Sequence, residues 1–272
     1  MKKLLPPLCI LLLFVLLALA LLRPFSGEES MTEGDAPAVQ PVEDTPPEPT
    51  PDIKTLTMRV TETADHQPVF DVTLTAFIES YNSLYRQTYK TDDLREAAAW
   101  STFSDQTPFP VRDATLHQFS SEEDLFPLPT VSAYTPENSR QLYEIMLTFD
   151  DHSYQDSLYE CFEERCLYAL QVVLPAWEEG EIHALYEALY AQTKENFWGD
   201  FDTDVSAARP TLSTLFYDNG VGLYGYYGSG TANLCIIPVT QASLQAFAQD
   251  GIALCDLSGD APSRTERLAA FL

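Results

Sequence analysis

The sequence predicts an α+β domain in which amphipathic helices pack on an antiparallel sheet of about five strands, preceded by one transmembrane helix and a disordered tether. Three observations carry this prediction. Apolar residues recur at helical spacing in several segments, other segments alternate like strands and are joined by turn sequences, and residues 1–53 differ in composition from the remainder.

The first element is an apolar run from Leu4 to Leu22 that contains no charged residue and follows two lysines. A helix of this length rises about 28 Å, enough to cross the hydrocarbon core of a bilayer. By the positive-inside rule the lysines stay in the cytoplasm, so the chain after Arg23 is expected outside the cell. The alternative is a signal peptide cleaved after Ala18-Leu19-Ala20, but the run is longer than is usual for one. We therefore expect residues 1–23 to be an uncleaved, single-pass anchor.

The second element, residues 24–53, is an acidic segment with seven prolines and no basic residue. It cannot bury enough apolar surface to offset the entropy of ordering, so a disordered linker is predicted. Such a linker holds the following domain away from the membrane. That domain, residues 54–272, has the length and apolar content of one globular fold.

Charge limits the partners of this domain. Residues 54–272 contain 33 acidic and 12 basic residues, a net charge of −21. No basic patch is available to neutralise phosphates, so nucleic acid is excluded as a binding partner. The expected partners are the lipid bilayer, through residues 4–22, and an unidentified peptide, glycan or protein outside the cell. No phosphate-binding glycine loop or C-x₂-C metal pair is present, so no cofactor is expected.

The first half of the domain is predicted from strand and helix periodicity. A strand is expected at 56–60, and an amphipathic helix at 72–88 with Asp71 as its cap. Thr91 is expected to cap a short segment at 92–100. Residues 102–141 are rich in turn formers and predict an irregular stretch with one short strand near Val131, before a strand at 142–148.

The second half follows the same rules. Helical spacing predicts a helix of about five turns that ends before Pro175, and a further helix that carries His183. Asp218-Asn219-Gly220 and Gly228-Ser229-Gly230 predict the two turns of a three-stranded antiparallel meander. The chain then predicts a helix at 241–249 capped by Thr240, a strand at 252–257 and a helix from 261.

The stretch Asp150-Asp151-His152 has a structural and a catalytic interpretation. Ser153 and Asp156 form a capping-box sequence, and acidic residues before a helix are stabilised by its macrodipole, so the carboxylates are explained as a helix start. Capping leaves His152 unexplained. If the protein is an enzyme, we expect Asp151, His152 and His183 to form its site, because the two following helices can bring the histidines together.

A second acidic cluster consists of Asp200, Asp202 and Asp204. Their alternate spacing is that of the first ligands in a calcium-binding loop. The loop pattern then fails, since Val205 stands where glycine is needed and Thr211 where a bidentate glutamate is needed. A polar loop is therefore expected, and no metal, although these three residues are the candidate ligands if one binds.

A third candidate site lies on the predicted meander. Tyr224 and Tyr226 share one face of a strand, and glycines at 222 and 225 leave space beside rings on which a sugar or peptide could stack. Ordinary cross-strand aromatic pairing explains the same residues. If the domain has a ligand surface, we expect it here.

Four cysteines fall in the domain: Cys161, Cys166, Cys235 and Cys255. The first two are about 140° apart on one helix, which does not suit a mutual disulfide. Buried free thiols are expected, while a bridge from the helix to Cys235 or Cys255 is left open.

Two functions follow from these patterns. The favoured one is a membrane-anchored extracytoplasmic protein of the cell envelope with a non-catalytic binding domain. The alternative is a small extracytoplasmic hydrolase or metal-dependent enzyme centred on Asp151, His152 and His183.

Overall fold

The computed structural model describes residues 56–102, 114–120, 130–150, 156–198, 212–228 and 230–272, which belong to one compact unit. Among the helices of these residues, none combines the length and the apolar character needed to span a membrane. Several predicted features lie outside the described residues. They are the anchor at 4–22, the tether at 24–53, and Asp151, His152, Ser153, Asp200, Asp202 and Asp204.

The described residues contain five helices and eleven strands. The helices are α1 (Leu74–Tyr89), α2 (Asp156–Val173), α3 (Glu179–Gln192), α4 (Gln241–Gln249) and α5 (Ala261–Ala269). The strands are β1 (Val60–Glu62), β2 (Pro68–Phe70), β3 (Arg95–Thr102), β4 (Ala114–Ser120), β5 (Thr130–Pro136), β6 (Glu144–Asp150), β7 (Phe197–Trp198), β8 (Thr214–Asp218), β9 (Val221–Gly228), β10 (Thr231–Pro238) and β11 (Ala253–Asp256).

Nine strands form the main sheet in the order β11-β8-β9-β10-β6-β5-β4-β3, with β7 paired to β9 as well. Neighbouring strands are antiparallel except for two parallel pairs, β11 with β8 and β7 with β9. Strands β1 and β2 form a separate antiparallel pair. The α+β class is thus confirmed, and the sheet is larger than the five strands predicted.

Two of the strands that were not predicted, β3 and β4, lie at one edge of the sheet. Arg95–Thr102 overlaps the segment 92–100 that Thr91 was expected to cap. It is the edge strand β3, although its alanines favour a helix. It pairs with β4, which falls within the stretch predicted to be irregular. Pairing with β4 therefore overrides the local helix propensity of this segment.

The helices follow their predicted periodicity. Helix α1 begins two residues later than expected because the Thr73 side chain, not Asp71, accepts the capping hydrogen bond from the Ala76 amide. In α2, Phe162 and Cys166 of the apolar face are fully inaccessible, whereas Cys161 is half-buried. The predicted cap of α4 is confirmed by the hydrogen bond from the Ser243 amide to Thr240.

The sheet separates a large core from smaller ones. On β9, Leu223 lies in the large core together with residues of α1, α2 and α3. Its neighbour Tyr224 points to the other face and packs in a smaller core with Leu244 of α4. This alternation is that of a strand buried on both faces.

The meander of β8, β9 and β10 is confirmed. Between β8 and β9, Asn219 and Gly220 have φ values of 45° and 91°, the left-handed conformations that a two-residue hairpin turn requires. Residue Gly228 is paired with Thr231 at the second turn.

Candidate ligand-binding groove

A partly open groove of about 330 Å³ lies between α1, α2 and α3. Its volume falls at the lower end of the range of about 300–1,000 Å³ that is typical of small-ligand sites. The described residues that line it are Leu84, Gln87, Thr88, Glu164, Leu167, Tyr168, Gln171, Glu179, Ile182 and His183. We call this feature the three-helix groove.

Helical periodicity explains why these residues meet. Each helix contributes side chains spaced by three or four residues, which share one face of a helix. On α2 this face adjoins the buried stripe of Phe162 and Cys166, and on α3 it adjoins Leu185 and Leu189. The groove therefore opens where the apolar faces of three helices turn toward solvent.

Hydroxyl groups of two tyrosines join the walls formed by α1 and α2. The Tyr168 hydroxyl donates a hydrogen bond of 3.0 Å to Thr88 Oγ1, and the Tyr89 hydroxyl donates one of 2.5 Å to Glu164 Oε1. The bond to Glu164 raises the pKa of Tyr89. The second bond ties Glu164 of α2 to the end of α1 at the rim of the groove.

A row of aromatic rings continues along α1 beside the groove. The rings of Tyr85 and Tyr89 are stacked with centroids 4.5 Å apart, and Tyr85 meets Tyr168 edge to face at 5.4 Å. Tyr89 is 46% exposed. The row thus presents one accessible aromatic surface next to a polar groove, which is a common arrangement in recognition sites.

A buried ion pair fixes α1 relative to α2 below the groove. Arg165 binds both carboxylate oxygens of Asp93, through Nη2 at 2.8 Å and Nε at 3.0 Å. The Tyr81 hydroxyl of α1 donates to the same carboxylate at 2.9 Å. The Asn82 amide donates to the Leu94 carbonyl at 2.7 Å and so holds the segment that carries Asp93. These contacts preorganise the groove walls.

The third wall, α3, is fastened to α5. Arg264 binds both carboxylate oxygens of Glu181 at 2.7 and 3.1 Å. Its guanidinium also lies 4.7 Å from the centroid of the Trp177 ring, a cation–π contact. The Trp177 indole donates to Asp218 Oδ2 at 2.8 Å and so ties the start of α3 to the sheet.

Of the residues in the predicted catalytic site, only His183 is described, and it lines the three-helix groove. Asp151 and His152 lie outside the described residues, so their distance from His183 stays untested. Within the described ranges, no three histidine, cysteine, aspartate or glutamate side chains come together in a way that would hold a metal ion.

The two tyrosines of the predicted ligand surface are inside the fold. Tyr224 is 0% and Tyr226 is 2% exposed, and their rings stack with centroids 6.1 Å apart. A ligand cannot reach these rings without displacing the residues that cover them.

The space expected beside the rings is also filled. A Cβ atom added to Gly222 would lie 2.5 Å from Val239 Cγ1, and one added to Gly225 would lie 2.2 Å from the Leu189 carbonyl oxygen. The glycines therefore permit close packing inside the fold. The accessible surface is found at the three-helix groove instead.

A buried carboxyl group accompanies these tyrosines. Glu144 is 1% exposed, and burial raises its pKa to about 7, although hydrogen bonds with Cys235 and Tyr224 act in the opposite direction. The Tyr224 hydroxyl donates to Glu144 Oε1 at 3.2 Å. This cluster lies on the sheet face opposite α1, α2 and α3.

The side chains of Thr135, His117 and Glu96 form a hydroxyl–imidazole–carboxylate chain like that of a catalytic triad. His117 Nδ1 is 2.6 Å from Glu96 Oε1, and His117 Nε2 is 3.1 Å from Thr135 Oγ1. Burial acts to raise the pKa of Glu96, but its contacts with His117 and Arg140 outweigh burial and lower the pKa. Thr135 is 0% exposed, so no substrate can reach its hydroxyl in this structure. We interpret the arrangement as a cross-strand polar network.

The four cysteines of the domain are free thiols in the structure. Burial raises the pKa of Cys166 and of Cys235, which disfavours the reactive thiolate. The expected buried thiols are thus found at these two positions, whereas Cys161 and Cys255 are half-buried.

Most residues of the groove were not predicted from the sequence. Glu164 and Gln171 flank the apolar stripe of α2, and the sequence alone could have marked them as polar neighbours of that stripe. The position of α1 opposite them depends on the ion pair between Asp93 and Arg165, residues 72 positions apart, which no local pattern reveals.

No protein-family model, curated protein or solved structure matches the chain.

Proposed function

We propose that this chain is a membrane-anchored extracytoplasmic protein whose domain binds a ligand in the three-helix groove. The groove carries this proposal. It is partly open, its walls are fixed by buried polar contacts, and it combines an apolar floor with carboxylate, amide, hydroxyl and imidazole groups. Such a mixture provides contact area and orientation at the same site.

The location of the domain outside the cell rests on the sequence. Leu4–Leu22 has the length and the flanking lysines of a signal anchor, and residues 24–53 have the composition of an extended tether. Together they would present the groove to soluble or envelope partners at a distance from the bilayer.

The binding role is tested by blocking the groove. Thr88 is exposed at the rim of the groove on α1, so Thr88→Trp places a large ring there, and it also removes the hydrogen bond from Tyr168. Thr75→Trp is the matched control because Thr75 is exposed on the same helix but does not line the groove. A photo-crosslinking amino acid replaces Gln171, and crosslinking is carried out in cells. We expect a defined adduct with the bound partner. Thr88→Trp should abolish this adduct, and Thr75→Trp should preserve it. An adduct that survives Thr88→Trp unchanged would contradict the proposal.

The location is tested separately by fusing reporters to the C-terminus. Alkaline phosphatase, which requires export, should be active on this fusion, and a green fluorescent protein that fails to mature after export should be dark. The opposite pattern would show that the domain faces the cytosol and would remove the extracytoplasmic assignment.

A further inference from the structure

We propose that the three-helix groove recognises a basic side chain, arginine or lysine, within a peptide segment of a protein partner. This inference rests on the proposed function, since it names the ligand class of the same site. It is argued from the charge, the shape and an unused hydrogen-bond donor of the groove.

Charge is the first argument. Glu164 of α2 and Glu179 of α3 bring carboxylates to the groove, and no lysine or arginine is found among its described lining residues. At the end of α1 the partial negative charge of the helix C-terminus is offset by Arg86 in the last turn and Lys90 at the cap, so the negative charge of the groove comes from the two carboxylates. With a net charge of −21 for residues 54–272, the domain also steers cations toward itself.

Shape is the second argument. Leu84, Leu167 and Ile182 supply apolar surface in the groove, whereas the carboxylates stand beside it. A lysine or arginine side chain has the matching form, because its alkyl stem packs on apolar surface while its charged head remains at a polar rim. Tyr168 also lines the groove, and a guanidinium is attracted to an aromatic ring.

An unused donor favours a peptide over a free amine. Gln87 Nε2 is buried and has no acceptor among the described residues. A buried donor without an acceptor is unfavourable. Gln87 as a residue is half-buried and lines the groove, so turning its side-chain amide would bring Nε2 to a backbone carbonyl of a bound peptide. Gln171, on the opposite helix, also lines the groove.

The test uses the full chain in a non-ionic detergent and blocked peptides of glycine and serine. One peptide carries two arginines, a second carries two citrullines, which are neutral and nearly isosteric, and a third carries two glutamates. Isothermal titration calorimetry should detect binding of the arginine peptide only. We expect its affinity to fall about tenfold for Glu164→Gln and for Glu179→Gln, the loss of one charge-assisted contact each. Raising the ionic strength from about 0.05 M to about 0.5 M should also weaken the binding of the arginine peptide to the parent protein.

Controls separate this inference from the proposed function. Glu187→Gln makes the same charge change at an exposed position of α3 outside the groove and should leave the affinity unchanged. If citrulline and arginine peptides bind equally and Thr88→Trp blocks both, the groove is a binding site but not for cations, and this inference is overturned. This inference is also overturned if no peptide binds while the crosslink at position 171 is still formed. If the crosslink is also insensitive to Thr88→Trp, both proposals fail.

Discussion

The Tyr224 hydroxyl donates a hydrogen bond of 3.2 Å to Glu144 Oε1 across the sheet interior, between residues 80 positions apart. Glu144 is 1% exposed, so its side chain is shielded from solvent that would stabilise a charge. Burial therefore raises the pKa of Glu144 from 4.5 to about 7. The stability of the domain is expected to depend on pH through this one carboxyl group.

The sign of that dependence follows from the two pKa values. Between pH 4.5 and about 7, Glu144 is ionised in the unfolded chain but keeps its proton in the folded one, so stability falls as pH rises through this window. Glu144→Gln retains an acceptor for Tyr224 and carries no charge. We expect the variant to gain roughly 2–3 kcal/mol relative to the parent between pH 5 and pH 8, since one pKa unit corresponds to about 1.4 kcal/mol.

Urea unfolding followed by circular dichroism at several pH values measures this difference. Glu137→Gln, the same change at an exposed position, serves as the control and should show no such trend. Parallel pH profiles for the parent and Glu144→Gln would show that Glu144 is not the responsible group.

Gly225 marks the closest approach of the sheet to α3. A Cβ atom at this position would lie 2.2 Å from the Leu189 carbonyl oxygen and 3.2 Å from Thr193 Cγ2. Because the nearest atom belongs to helix backbone, the helix itself must move to accept it. We expect Gly225→Ala to lower the free energy of unfolding by about 1–3 kcal/mol or more, as overpacking does.

Gly180 gives the matched comparison for this prediction. It lies exposed in α3, and an added Cβ atom would meet nothing within 4 Å. Gly180→Ala is therefore expected to raise stability by roughly 0.5–1 kcal/mol through the better helix propensity of alanine. Equal effects of the two substitutions in thermal unfolding would contradict the packing of α3 on β9.

Periodicity predicted those parts of the fold in which local and global preferences agree. Helices α2 and α3 and the Asn219-Gly220 turn were predicted because apolar spacing and turn chemistry both match the final structure. Strand β3 was missed because its alanines favour a helix and only pairing with β4 makes it a strand. The groove was missed for a related reason. Its walls come from three helices, and the contacts that align them join residues far apart in the sequence.

The ion pair of Arg165 and Asp93 gives the sharpest test of the groove walls. Both side chains are 5% exposed, whereas the pair of Arg86 and Asp92 nearby is 40% and 55% exposed. Removing one partner of a buried pair leaves an uncompensated charge, so Arg165→Met is expected to cost about 3–5 kcal/mol. Arg86→Met should cost at most about 1 kcal/mol, because solvent screens an exposed pair.

A double-mutant cycle separates the pair from the packing around it. Asp93→Asn keeps an acceptor for the Tyr81 hydroxyl, so the double variant with Arg165→Met removes both charges while the remaining hydrogen bond stays. We expect the double variant to be more stable than Arg165→Met alone, with a coupling energy of about 1–3 kcal/mol in chemical unfolding. Additive losses would show that the two charges do not interact. Because this pair joins α2 to the segment after α1, the double variant should also bind groove ligands more weakly even where the fold survives.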